Sequence, residues 1–399
     1  MTPMLDVAAA RAIVLQHAKP LPPRPEWLGP DVLGEVLAED VAADIDSPPF
    51  DKSMMDGYAV RAADCGSPLK LVGEVQAGAV SNVPVGAGEA VRIFTGAPIP
   101  TGADAVVKQE DTKVEGGTVQ ILTPVKPGVN IFRRGSEMRV GEVVVPAGTI
   151  LTPVAFGLLA AAGRDRAILK RTPQPKVAII ATGNELVEAT TVPTAGQIRN
   201  TNTPMLEGLV ARAGGWGCNF HMHGDERKAL EAILSDAIYE DLTVISGGVS
   251  VGKYDLVPDV LKSLGVEIHF HTVRMKPGKP LLFGTKDGKL VFGLPGNPVS
   301  AAVGFELFVR PAIDIMCGRT DPGPKELRLP LSEPLTAKHD RPTYHPAVVG
   351  SDSVRPLPWQ GSADLRALLP ANGYVVLPPG EVRYAAGDVV DVIDCSRGL

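Results

Sequence analysis

At 399 residues the chain is longer than one hydrophobic core usually supports, and two to four domains are expected. A net charge of -6 gives no overall basic field, which argues against general nucleic-acid binding and leaves the basic residues to be read locally. Cys65, Cys218, Cys317 and Cys395 are far apart and form no Cys-x-x-Cys pair, so neither structural zinc nor a disulfide framework is suggested, and a reducing cytoplasm fits best.

The first 18 residues carry Leu5, Ala9, Ala12, Ile13 and Leu15 at roughly helical spacing, and the Pro-rich Lys19-Pro-Leu-Pro-Pro-Arg-Pro25 follows. This predicts an opening helix that needs a partner for its apolar face, then an extended crossing. Asp6 and Arg11 interrupt what would be the apolar core of a signal peptide, and no later stretch approaches about 18 uncharged apolar residues. Secretion and membrane spanning are therefore not expected. Residues 46–142 alternate short Val/Ile runs with glycines and read as a β-rich domain. A helix follows, with Thr152 as N-cap, Pro153 in the first turn and Gly163 at its end, and it is a candidate partner for the opening helix.

From 173 onward strands and helices alternate, with strands predicted at 177–181, 218–222 and 242–245 and helices at 203–213 and 226–239. That alternation means a parallel α/β domain whose ligands bind outside the carboxyl ends of the strands. Pro-bounded short strands at 373–378 and 388–393 predict a closing small β-barrel or sandwich. The fold class is thus multidomain α/β. A discontinuous helical and extended domain covers 1–45 and 143–172, the β-rich domain 46–142, the parallel α/β domain 173–323 and the small β-barrel 324–399.

Three strand-then-glycine units fall in the α/β part. Thr182-Gly-Asn-Glu-Leu186 contributes Thr182 and Gly183. Ser246-Gly-Gly-Val-Ser-Val-Gly252 contributes Ser246, Gly247, Gly248, Ser250 and Gly252. Leu294-Pro-Gly-Asn-Pro-Val-Ser300 contributes Pro295, Asn297 and Pro298. One such loop is an ordinary βα turn; three in one segment point to an anion cradle built from free amides and helix N-termini. Asn297 suits an N-cap and Pro298 a first helical position. Lys276-Pro-Gly-Lys-Pro280 holds two ammonium groups, Lys276 and Lys279, on a stiff turn where they can clamp phosphate or sit in solvent.

Acids stand beside these loops: Glu185 after Gly183, Asp225 after Gly224, and Asp255 just past Gly252. Two like unit charges about 4 Å apart repel by roughly 4 kcal/mol at an effective dielectric of about 20, so carboxylates near a bound anion imply a bridging cation, with magnesium the natural choice. Each acid alone could equally be a solvated loop residue or a helix cap. In the β-rich part Asp56 and Thr95 each sit next to a glycine, as turn chemistry would also place them, and Arg133 with Arg134 forms a basic pair that reaches an anion or solvent. His221/His223 and His269/His271 are His-x-His pairs that raise a transition-metal site or merely occupy a strand face.

Taken in order, Met55-Asp-Gly-Tyr-Ala59, Thr95-Gly-Ala-Pro98, Thr182-Gly-Asn-Glu-Leu186, Ser246-Gly-Gly-Val-Ser-Val-Gly252, Lys276-Pro-Gly-Lys-Pro280 and Leu294-Pro-Gly-Asn-Pro-Val-Ser300 resemble the MoeA family, the molybdopterin molybdenumtransferases. Each piece is weak, but the six span nearly the whole chain. The resemblance implies an elongated homodimer with four domains per chain, a molybdopterin-binding α/β domain, and molybdate insertion into adenylylated molybdopterin with magnesium-dependent release of AMP. It assigns Glu185, Asp225 and Asp255 to metal binding and cleavage, takes Asp56 and Thr95 from the partner subunit, and places Lys276, Lys279, Pro295 and Pro298 around the pterin or molybdate. Exchange with a molybdopterin adenylyltransferase and with molybdoenzyme maturation proteins would accompany it. Asn184, Arg133-Arg-Gly-Ser-Glu137 and Thr272 depart from the family pattern and bear on the finer molybdate contacts. Two competing readings are adenylylation or nucleotide hydrolysis on the same α/β domain, and a non-catalytic scaffold. The adenylylating relatives carry Gly-Gly-Thr-Gly where this chain has Gly247-Gly248-Val249-Ser250, which speaks against them.

Overall fold

The structure is a computed structural model that describes residues 4–27, 29, 32–79, 82–164, 168–220, 227–249 and 256–396. It divides into two compact units, one of Met1–Glu26, Asp31–Ala38 and Leu169–Leu399, the other of Trp27–Pro30 and Glu39–Ile168.

The larger unit is built on a six-stranded sheet in the order Trp216–Asn219, Lys176–Ala181, Leu242–Ser246, Lys289–Leu294, Pro280–Lys286, Glu267–Thr272. The first four strands run parallel, and Pro280–Lys286 runs against them, pairing antiparallel with both Lys289–Leu294 and Glu267–Thr272. Continuous apolar runs such as Val177 to Ala181 suit parallel strands covered on both faces. Successive side chains point to opposite faces, so Val177 and Ile179 pack with Leu206 and Val210 of the helix Asn202–Ala213, while Ala178 and Ile180 pack with Leu230 and Leu234 of the helix Arg227–Ala237. The antiparallel departure comes from Asp287-Gly288, both at positive φ, which folds the chain back with Lys286 paired to Lys289. An Asp-Gly pair in this conformation is a favoured two-residue hairpin turn.

The opening helix Val7–His17, capped by the Asp6 carboxylate accepting from the Ala9 amide, buries Ala10 and Val14 in the same layer as Val177 and Phe283. Its partner is therefore the α/β sheet layer. Beneath that layer Glu306 accepts from Arg212 and Arg310, and Asp314 from Arg319, so the buried charges are paired. Residues past 324 form a five-stranded antiparallel sheet in the order Lys325–Pro330, Val389–Asp394, Gly373–Leu377, Thr343–Val349, Val354–Pro356, with Leu335–His339 paired to Gly380–Tyr384 beside it. Tyr374 and Ile393 join its core to the α/β layer.

The smaller unit carries a six-stranded sheet in the order Ala105–Lys108, Gly57–Val60, Glu89–Ile93, Leu69–Val75, Thr118–Ile121, Thr112–Glu115. Its helix Pro153–Ala161 is capped as expected, the Thr152 hydroxyl accepting from the Ala155 amide at 3.2 Å.

Candidate functional site

In the larger unit the strand Lys176–Ala181 has Trp216–Asn219 on one side and Leu242–Ser246 on the other. The strand order therefore reverses between Lys176–Ala181 and Leu242–Ser246, and a crevice opens at the carboxyl ends of strands at such a point. A cleft of about 1030 Å³ lies there. Thr182, Gly183 and Glu185 from the first loop line it, as do Ser246, Gly247 and Gly248 from the second, Pro295, Asn297 and Pro298 from the third, and Lys276 and Lys279. Residues separated by more than a hundred positions in sequence thus converge on one cavity. Ser250, Gly252, Asp225, Asp255 and the pair His221/His223 lie outside the described residues.

The loops are fastened to one another by main-chain bonds. Thr182 N donates to Ser246 O at 2.9 Å, and Gly247 N to Leu294 O at 3.0 Å. Gly247 and Gly248 have φ of 93° and 62°, and a Cβ on Gly247 would stand 2.5 Å from the Thr182 carbonyl oxygen. Only glycine fits there. The Thr182 hydroxyl is buried with no hydrogen-bond partner, close over these glycines.

The cationic wall is shared with the C-terminal β region. Lys276 accepts at its main-chain oxygen from Tyr344 N and donates its own N–H to Pro342 O, each at 2.8 Å. Its ammonium lies 3.0 Å from His339 Nδ1. Burial, then the Lys276 charge, hold His339 below the ordinary histidine range, so the ring is neutral and Nδ1 accepts. Arg341, Trp359 and Ser362 complete this wall, and Asn297 Nδ2 donates to Ser362 Oγ at 2.9 Å. Asn200, Asn202 and Ser300 also line the cleft. The sequence reading gave none of these six a role, although Ser300 ends the third loop motif and Asn200-Thr-Asn202 stands at the start of a helix; Arg341 and Ser362 reach the cleft only through tertiary packing.

Asp56 and Thr95 belong to the smaller unit, where they form one feature. The Asp56 carboxylate accepts from both the amide and the hydroxyl of Thr95, each at 2.8 Å. The Thr95 amide, then its hydroxyl, hold the Asp56 carboxyl below the ordinary range, so it is ionised. A Cβ on the adjoining Gly57 would fall 1.9 Å from Val107 O, which explains a glycine after Asp56. Arg133 and Arg134 are paired with Asp51 and Asp46 at 2.6 and 2.7 Å, so neither points unpaired into solvent. His269 Nε2 meets Thr285 Oγ1 and His271 Nε2 meets Val249 O, each at 2.8 Å, so the two rings serve separate contacts. Among the described residues no three His, Cys, Asp or Glu side chains gather as a metal cluster.

With this geometry in hand, comparison with known proteins decides the family. Family models match along nearly the whole chain: the MoeA N-terminal region (domain I and II) over residues 5–163, a probable molybdopterin binding domain over 178–314, and the MoeA C-terminal region (domain IV) over 328–395. The molybdopterin molybdenumtransferase of Staphylococcus aureus (strain Mu50 / ATCC 700699) is 37% identical over 373 residues, 90% of this chain and 88% of its own. The chain belongs to the molybdopterin molybdenumtransferase family. The Staphylococcus epidermidis member is 34% identical over the same share. The crystal structure of a molybdopterin biosynthesis MoeA protein from Pyrococcus horikoshii OT3 superposes with a TM-score of 0.84 at 31% identity, covering 98% of this chain and all of that one. Membership makes this protein a transferase with a role in molybdenum cofactor biosynthesis, and gives its multidomain α/β fold the MoeA architecture.

Proposed function

We propose that the protein inserts molybdate into adenylylated molybdopterin, with magnesium-dependent release of AMP, from the cleft at the sheet's switch point. The observation that supports this most is the convergence of three glycine loops, two lysines and Glu185 on one cavity large enough for a pterin nucleotide. Amides of the loops around Gly183, Gly247 and Gly248 bind and orient phosphate oxygens. Lys276 and Lys279 hold the dithiolene end or the incoming molybdate, with Pro295 and Pro298 as rigid flanks and Asn297 fixing its loop against Ser362. Trp359 and Ser362 of the C-terminal β region form one wall of the cleft.

Magnesium binds through one or two carboxylates together with phosphate oxygens and water. The donor set fits: Glu185 is an exposed carboxylate on the cleft wall, and the Thr182 hydroxyl is a hard oxygen without a partner. Asp225 and Asp255 would complete the acidic set. Bound there, magnesium would offset the phosphate charge and make AMP a better leaving group.

A homodimer brings Asp56 and Thr95 of one copy to the cleft of the other, the ionised Asp56 held in place by Thr95. The four thiols are unpaired, in keeping with a cytoplasmic setting. A molybdopterin adenylyltransferase would deliver the substrate, and molybdoenzyme maturation proteins would take the product. The test is Glu185→Gln: it should keep near-normal affinity for adenylylated molybdopterin while losing at least about tenfold in magnesium-dependent AMP release. Unchanged release would refute the assignment.

A further inference from the structure

Asn202 was not among the residues that the sequence marked, yet it joins two of the three loops. Its side chain is buried, and Nδ2 lies 2.7 Å from both Ser246 Oγ and Gly296 O. A main-chain carbonyl only accepts, so the amide nitrogen must face Gly296. That orientation commits both amide hydrogens, one to Gly296 O and one to Ser246 Oγ. Ser246 is therefore the acceptor in its contact with Asn202. Its own hydroxyl hydrogen meets no other partner among the described residues. Ser246 sits at the mouth of the strand, on the cleft wall beside Gly247. The Asn202 carbonyl oxygen is buried with no partner, a cost that an apolar residue would avoid.

We propose that Asn202 is a positioning residue that sets the hydrogen-bond polarity of the cleft: it ties the Ser246 and Pro295–Pro298 loops together and obliges Ser246 to donate to the substrate anion. This rests on the substrate reading above, since it needs an anion at Ser246. Without Asn202 nothing occupies the Ser246 lone pair that the amide engages, and the hydroxyl is free to turn its hydrogen away from the ligand. The direction of one buried hydrogen bond thus selects for an anionic group, and Asn202 does so without touching it.

A double-mutant cycle on the full-length protein tests this, with kcat and KM for adenylylated molybdopterin as readouts. Asn202→Leu keeps a similar volume and removes both donors; Asn202→Ala serves if the leucine is not accommodated, and circular dichroism reports folding. Ser246→Ala should raise KM about tenfold, equivalent to about 1.4 kcal/mol, with kcat changed less. Asn202→Leu should raise KM to a similar extent, and the double variant should be no worse than either single one. Multiplicative losses, near a hundredfold in the double variant, would overturn the polarity role and leave Asn202 as a structural tie alone. If Ser246→Ala changes neither KM nor kcat, the anion is not at Ser246; the substrate reading fails there, and this inference with it.

Discussion

Gly247→Ala adds one carbon to the floor of the cleft, at a place where the backbone leaves no room. The residue has φ of 93°, and the new Cβ would meet Thr182 O at 2.5 Å and the Thr182 hydroxyl at 3.1 Å. A left-handed conformation costs a non-glycine residue about 1–2 kcal/mol. Relieving the overlap requires moving a carbonyl at the end of a central strand, which adds about 1–3 kcal/mol by analogy with overpacked cores. The sum is about 2–5 kcal/mol. At roughly 2–4 °C per kcal/mol for a body of this size, the melting temperature should fall by about 4 °C or more. Gly296→Ala is the internal control, because it also adds one methyl in the same cleft but its nearest neighbour is Gly247 Cα at 3.7 Å, an ordinary contact. Differential scanning calorimetry of both variants, with affinity for adenylylated molybdopterin measured alongside, decides the matter. Gly247→Ala should lose both stability and at least about tenfold in affinity, whereas Gly296→Ala should stay within about 2 °C of the parent. Equal melting temperatures for the two variants would refute the steric account of the loop.

Three further outcomes are expected. Asp225→Ala or Asp255→Ala should fold and dimerise but lose magnesium-dependent AMP release, and mixing an Asp56→Ala chain with an Asp225→Ala chain should restore part of it; no recovery on mixing would mean that the site is built within one chain. Glu306→Ala removes the carboxylate that pairs Arg212 and the buried Arg310, and should cost about 3–5 kcal/mol in urea unfolding; a loss under about 1 kcal/mol would show those guanidiniums satisfied without it. His269, His339 and His345 are each held below the ordinary histidine range, chiefly by burial. The unfolded chain therefore takes up their protons first, and stability present above about pH 6.5 should be lost as pH falls below it. The lowered carboxyls of Asp46, Asp51, Asp56 and Asp340 act only nearer pH 4. A melting temperature that stays flat or rises between pH 7 and 5.5 would contradict this.

The α/β layer was legible because its signals are local. The run from Val177 to Ala181 followed by Thr182-Gly183, and the run ending at Ser246 followed by two glycines, announce strands that end in close-packed turns. The Asp287-Gly288 hairpin carries an equally local signal, at odds with the parallel strands that the alternation before it predicts. The rest of the site was out of reach for a physical reason. Ser362 and His339 come from the C-terminal β region, and nothing near them in sequence shows that Asn297 and Lys276 will meet them. Likewise Arg133 and Arg134 look unpaired in sequence because their acids, Asp51 and Asp46, lie more than eighty positions away. His269 and His271 share strand spacing, yet each finds its own partner, so spacing alone could not separate a metal site from two satisfied rings.

The measurement that bears most directly on the central claim is AMP release from adenylylated molybdopterin by the purified protein, with and without magnesium and molybdate. Release that requires both, together with molybdenum recovered in the pterin product, is the predicted result. Tight binding of the substrate with no release under any of these conditions would contradict it, and would leave the cleft a carrier site with Glu185 in no catalytic role.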